Sequence, residues 1–197
     1  MNIPKHLRII AGILAVILLL LIILKIYNRY RGLTTKTDSN NQTHIIADAP
    51  NQQESMRLLA EIKSRLKYLI NYCIDNYPNN KNVKLLKERF KPENVQEASL
   101  FESGTSYTLD KGRELHLCLR SKKHNFEHHD INILMFVAIH ELSHIMSVSY
   151  GHNTEFNENF KFLLEKAVEC NLYVPTDYSR NPIEFCGVTV ETSPLYD

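Results

Sequence analysis

The feature that most constrains this 197-residue chain is an uninterrupted apolar run close to its first residue. Between residues 9 and 24 the sequence reads "IIAGILAVILLLLIIL", without a charged or strongly polar side chain. Leu7 extends the run on one side, and Ile26 and Tyr27 extend it beyond Lys25, whose ammonium group can reach the headgroups. The run thus attains the roughly 20 residues with which a helix crosses a bilayer. It predicts a membrane span over about residues 7–27.

A cleaved signal peptide is the alternative interpretation of this run. The sequence that follows, "KIYNRYRG", contains no small-residue cleavage site, and the run is long for the apolar part of a signal peptide. We therefore expect residues 1–31 to be a permanent N-terminal membrane anchor.

The basic residues around the span bear on its orientation. Two precede it and four follow it, namely Lys5 and Arg8 on one side and Lys25, Arg29, Arg31 and Lys36 on the other. The excess after the span favours a C-terminal domain on the cytoplasmic side. The opposing feature is "NQT" at Asn41, an acceptor pattern for N-glycosylation that matters only on a lumenal side.

The rest of the chain divides into a polar segment and one domain. Residues 32–53 are rich in Asn, Gln, Thr and Asp, which predicts a flexible polar linker. Residues 54–197 show helical apolar spacing from Glu54 onward, two strands, "TSYTL" and "ELHLCLR", joined by the turn "DKGR", and two later helices. The tail is expected to be irregular, with at most one short strand. This order predicts an α+β domain.

Charge and cysteine content narrow the function classes. A net charge of +1 gives no general attraction to nucleic acid, which we do not expect as a partner. The four cysteines, Cys73, Cys118, Cys170 and Cys186, are far apart and form no CxxC pair, so a cysteine zinc site is not expected. We expect reduced and mostly buried thiols, although three disulfide pairings are formally possible.

A histidine motif lies in the apolar helix predicted for residues 131–150, with Asp130 as its N-cap and Gly151 at its end. His140 and His144 are four residues apart, so their imidazoles lie on one helical face and can point at one ion. Glu141 is rotated by about a hundred degrees, beside that ion, where it can act as the general base. An unpartnered polar cluster of this kind would be costly to bury.

His152 is the expected third ligand, because Gly151 allows the chain to turn back after the helix. Glu158 and Glu165 on the next helix are the alternatives. Three protein ligands and an open fourth position are typical of a catalytic Zn²⁺ site.

These residues also resemble a known family. "HELSH" followed by "GHNTEF" resembles the zinc metallopeptidases of the WLM and SprT-like group, which have an aromatic residue four positions after the third histidine, as Phe156 is here. "ELHLCLR" is similar to the edge strand with which zincins can pair a substrate backbone. The run from about 113 to 187 is similar to WLM-type proteins encoded by large DNA viruses.

The resemblance implies an HExxH zincin: a small domain with an active-site helix, a following helix and a small antiparallel sheet. In such proteins a downstream Tyr, His or Arg often stabilises the oxyanion. Tyr178 is our candidate, with Tyr150 and Arg180 as the alternatives.

Together these features predict a membrane-anchored zinc metalloendopeptidase that hydrolyses a protein or peptide substrate at a host or virion membrane. The alternative is a catalytically silent zincin-fold protein with a structural or assembly role at a membrane, for example in a virion. A DNA-bound repair protease would require salt-sensitive DNA binding by residues 54–197. The sequence specifies no oligomeric state.

Overall fold

The computed structural model describes residues 4–122 and 125–196 and has a mixed α+β architecture. Helix α1, Lys5–Tyr30, contains the apolar run, and none of its residues is buried against the rest of the chain. Its 26 residues correspond to about 39 Å of helix. By length and composition α1 could cross a membrane or serve as a signal sequence. Residues 1–3 of the predicted anchor lie outside the described residues.

The prediction of a flexible linker over residues 32–53 is wrong. Strands β1, Leu33–Thr37, and β2, Thr43–Ala47, form an antiparallel hairpin. The Asp38 carboxylate closes its turn by accepting the backbone N–H groups of Asn40 and Gln42 at 2.8 and 2.9 Å. Ile46 is fully buried. Many of the polar residues that suggested disorder lie in or beside the turn, whereas Ile46 and Ala47 of β2 are buried in the core.

Four helices enclose the core: α2, Gln52–Asn76, α3, Lys81–Arg89, α4, Ile131–Met146, and α5, Thr154–Glu169. The helices predicted from apolar spacing are therefore confirmed. The end of α4 differs from its prediction, because Ser147 is the C-cap and Gly151 lies in the following loop with φ +83°. The chain leaves the helix early because Arg89 donates to the carbonyl groups of Ile145 and Ser147 at 2.9 Å each.

A three-stranded sheet packs against these helices. It consists of β3, Val95–Glu97, β4, Tyr107–Leu109, and β5, Glu114–Leu117, in the order β3-β5-β4. Because β3 pairs parallel with β5, the prediction of a purely antiparallel sheet is wrong. So is the assignment of "ELHLCLR" to an edge strand, since β5 is central and β4 forms the edge.

The expectation of an irregular tail with one short strand is wrong, because the tail forms a second hairpin from β6, Ile183–Phe185, and β7, Val188–Val190. A disulfide between Cys118 and Cys186 holds its turn against the end of β5. The expectation of four reduced thiols is therefore wrong for this pair, although Cys73 and Cys170, both within the described part of the chain, are free. The two bonded residues are 68 positions apart, and the packing of the tail brings their Cα atoms within 6.4 Å.

Candidate metal centre

Three histidines converge at the C-terminal half of α4. The helix begins as predicted, because the Asp130 carboxylate accepts the backbone N–H of Asn132 at 2.7 Å. The potential ligand atoms of His140, His144 and His152 all lie within 4.8 Å of one another. This group could hold a metal ion, and it contains the three residues that the sequence selected. The carboxylates proposed as alternatives, Glu158 and Glu165, are not part of it.

The loop that brings His152 to the helix is fixed by hydrogen bonds. The Glu155 carboxylate accepts the backbone N–H groups of Val148 and Ser149 at 2.8 and 2.9 Å. Lys111, from the turn between β4 and β5, donates to the Ser149 carbonyl at 2.5 Å and to the His144 carbonyl at 3.2 Å. A loop held from both sides can present His152 in one place, which a metal site requires.

An aromatic ring supports the triad from behind. The ring of Phe156 lies 4.8 Å from that of His140, 4.3 Å from that of His144 and 4.7 Å from that of His152, measured between centroids. Phe156 is nearly fully buried. The residue that resembles the family's aromatic position therefore touches all three imidazoles and keeps water away from their inner side.

Burial sets the protonation of the inner histidines. Desolvation, followed by the proximity of His144 and then His152, lowers the pKa of His140 to about 3. Desolvation, followed by the charges of His152 and Lys111, lowers the pKa of His144 to about 4. Both imidazoles are therefore neutral at pH 7, and neutral imidazole is the form that binds a metal.

Glu141 lies beside the triad, as predicted, but it is almost completely buried, at 5% exposure. Thr108 Oγ1 of β4 donates to Glu141 Oε2 at 2.9 Å. Burial raises the pKa of Glu141 to about 7, against the opposing effect of this hydrogen bond. A carboxyl group with such a pKa can accept and release a proton near neutral pH. Sequence reasoning missed Thr108, since its strand was predicted but not the register that points it at the helix.

Two clefts meet at the histidines. The larger, of about 690 Å³, has an apolar wall that includes Phe136, Phe160, Phe185 and Val190. The smaller cleft, of about 370 Å³, follows β4. Polar side chains from the segment 105–111 line it, together with Tyr150. His140, Glu141 and His152 line both. The arrangement leaves the potential ligands accessible from two sides of an extended depression.

The candidates for oxyanion stabilisation are placed differently. Tyr178 is buried at 3% exposure, with its ring 4.8 Å from that of Phe136, and it is not among the described residues that line either cleft. In this arrangement Tyr178 is not placed to contact a substrate. Arg180 is exposed and pairs with Asp177 at 3.2 Å. Tyr150 lines the smaller cleft, with Lys111 Nζ 4.3 Å from its ring centroid.

Three viral proteins are similar to this chain. A protein of Acanthamoeba polyphaga mimivirus is 33% identical over 165 residues, which cover 81% of this chain and 83% of the relative. A protein of Invertebrate iridescent virus 6 is 29% identical over 149 residues, covering 73% and 82%. One of Invertebrate iridescent virus 3 is 39% identical over 79 residues, covering 39% and 46%. All three are described as uncharacterized. No protein-family model and no solved structure matches the chain.

Proposed function

We propose that this chain, which belongs to the same viral protein family as its mimivirus relative, has a specific enzymatic function. In this proposal the chain is a membrane-anchored, zinc-dependent metallopeptidase. The observation that carries the proposal is the convergence of His140, His144 and His152 beside the buried carboxyl group of Glu141. The resemblance of "HELSH" and "GHNTEF" to zincin metallopeptidases agrees with it.

The donor geometry fits zinc. His152 Nε2 lies 3.1 Å from His140 Nε2 and 3.1 Å from His144 Nε2. Two nitrogens bound tetrahedrally at 2.0–2.1 Å from Zn²⁺ are separated by about 3.3 Å. One imidazole nitrogen cannot direct a single proton or lone pair at two neighbours at once, whereas a shared cation satisfies all three nitrogens. Three histidine nitrogens, with no fourth protein ligand among the described residues, favour a catalytic site over a closed structural one.

When bound, zinc would supply Lewis acidity. It would polarise the substrate carbonyl and would lower the pKa of water, so that the water can lose a proton and attack the carbonyl at neutral pH. In this proposal Glu141 takes the proton from the attacking water and gives it to the leaving amine. Thr108 holds the carboxylate by one oxygen, so the other remains for the proton.

The position of strand β4 is an argument for an extended protein substrate. It is the edge of the sheet, and it lines the smaller cleft directly beside Glu141. An extended peptide could add to this edge through main-chain hydrogen bonds, which would place a peptide bond near the histidines. The apolar wall of the larger cleft suits an apolar side chain of such a peptide.

The last turn of α1 supports a permanent anchor rather than a cleaved signal. Tyr30 Oη donates to the two oxygens of Glu114 at 3.1 and 3.0 Å, and the Arg29 guanidinium lies 5.6 Å from the centroid of the Tyr107 ring. Cleavage after Tyr30 would remove these contacts from the folded domain. The basic excess after the span favours a domain on the cytoplasmic side, at a host or virion membrane.

The test is the metal content and peptidase activity of the full chain, purified in detergent without a histidine tag. About one zinc per chain is expected, and His140→Ala should lose it. Glu141→Gln should keep zinc and fold but lose hydrolysis of an unfolded protein such as casein. Glu165→Gln is the matched control, since Glu165 is exposed on α5, outside the triad and outside the described lining of both clefts, and its substitution should leave both properties unchanged.

Absence of zinc after reconstitution would refute the proposal. Zinc binding with no activity that depends on Glu141 would instead support the silent structural or assembly protein.

A further inference from the structure

The junction between α1 and the domain has no slack. The carbonyl group of Arg31, one residue after the helix, accepts a hydrogen bond from Ser99 Oγ at 2.7 Å. The carbonyl group of Gly32 accepts the backbone N–H of Asp48 at 2.7 Å. The chain therefore passes from the proposed span into the domain within two residues. A bilayer around α1 would fix the height of the adjoining loop.

That adjoining loop, residues 99–104, carries an exposed phenylalanine. Phe101 is 48% exposed, and the Arg31 guanidinium lies 4.1 Å from its ring centroid. Gly32, with φ +69°, allows the ring to approach so closely that an added Cβ would lie 2.7 Å from Phe101 Cε2. Phe101 is thus held against the end of the anchor while half of its surface remains open.

The height of Phe101 matches the interfacial region of a bilayer. From Tyr27, at the end of the predicted span, to Tyr30, the last residue of α1, the helix advances by about 4–5 Å. The headgroup region on each side of the hydrocarbon core is about 5–8 Å thick. Aromatic rings and arginines concentrate at this level. Arg31 lies between two such rings, 5.8 Å from the centroid of Tyr27 and 4.1 Å from that of Phe101.

A basic residue reinforces the loop. Lys122 Nζ donates to the carbonyl groups of Glu102 and Gly104 at 2.5 and 2.8 Å, which ties the loop to the segment after β5. The ammonium group thereby stabilises the shape of the loop.

We infer that loop 99–104, through Phe101, is a second membrane contact beside α1 and holds the active-site clefts close to the bilayer. Thr105, which follows this loop, lines both clefts. It is four residues from Phe101, a separation of at most about 14 Å even in an extended chain. This inference rests on the anchor and the peptidase proposed above.

The experiment uses the absence of tryptophan from the chain, so that one introduced tryptophan reports one position. The full chain is reconstituted into phosphatidylcholine vesicles with brominated acyl chains, and quenching of emission is measured for three variants. Leu18→Trp lies in the middle of α1 and reports the anchor. Phe101→Trp reports the loop. Tyr68→Trp, on the exposed face of α2, is the control for a position away from the bilayer. Lys63, five residues earlier on α2, contacts His44, which lies towards the end of the β1–β2 hairpin that is distal from α1.

Quenching of roughly twofold or more is expected at positions 18 and 101, with bromines near the headgroups most effective at 101, and little at 68. Ser103→Trp is the second loop variant if Phe101→Trp does not fold. Quenching at 18 with none at 101 or 103 would overturn the inference and leave the anchor intact. No quenching at position 18 or in the loop would overturn both the membrane contact of the loop and the membrane anchor. The readout involves no hydrolysis, so an inactive protein would not mimic either result.

Discussion

Thr108 and Glu141, 33 residues apart in sequence, are joined by a 2.9 Å hydrogen bond from Thr108 Oγ1 to Glu141 Oε2. The contact links the edge strand β4 to the helix that carries His140 and His144. A peptide that adds to β4 would therefore bind beside the residue that positions the proposed general base.

Removing that hydrogen bond should impair catalysis without removing the metal. Thr108→Val keeps the side-chain volume but leaves Glu141 without its donor. A hydrogen bond to a charged group contributes roughly 1.5–3 kcal/mol, so kcat/KM for an unfolded protein substrate should fall roughly 10- to 100-fold. Zinc content should be unchanged, and Thr108→Ser should retain activity. Full activity of Thr108→Val would show that Thr108 does not position the carboxylate.

Reduction of the Cys118–Cys186 disulfide should destabilise the domain. The bond closes a segment of 68 residues, for which the loss of unfolded-state entropy predicts stabilisation of about 4 kcal/mol. The double variant Cys118→Ala, Cys186→Ala should unfold at correspondingly lower denaturant concentration, and reductant should have no further effect on it. Cys170→Ser is the control, because Cys170 is a free thiol. A native midpoint unaffected by reductant would contradict the bond.

Orientation can be determined from Asn41. This residue lies exposed in the turn of the β1–β2 hairpin, within the acceptor pattern "NQT". If the domain is cytoplasmic, as the basic residues favour, the chain made in animal cells should carry no glycan and should not change mobility with endoglycosidase. A glycan that disappears in Asn41→Gln would place the domain in the lumen, where disulfides readily form.

Acid should destabilise the domain through His128. Burial, followed by the nearby charge of Arg120, lowers the pKa of His128 from 6.5 to about 4. The unfolded chain therefore takes up a proton at a higher pH than the folded one, so stability is complete above pH 6.5 and declines as the pH falls toward 4. His128→Gln keeps a polar atom near Ser55 Oγ, 2.9 Å from the histidine Nε2, but cannot titrate.

The measurement is the free energy of unfolding as a function of pH. The decline between pH 6.5 and 4 should be shallower in His128→Gln than in the native chain. Identical slopes would assign the acid sensitivity to other groups.

The local features of this protein could be predicted from its sequence. An apolar run of membrane length has few alternatives to a helix, and the i, i+4 spacing of His140 and His144 fixes their shared face wherever that helix packs. The N-cap at Asp130 and the apolar stripe of α2 are equally local. The approach of His152 to the other two histidines could also be predicted from the sequence, because only a short loop separates it from α4.

Tertiary structure alone decided the contacts between distant segments. The partner of Glu141 depends on the register of β4, and a shift by one residue would turn Thr108 to the other face of the sheet. The central position of β5, the meeting of Cys118 with Cys186 and the seating of Phe101 against Gly32 arise in the same way. Backbone periodicity records how a segment is solvated along its own length. Which segments meet is set by the packing of the whole core, because many pairings satisfy the same local pattern and only one fills the interior.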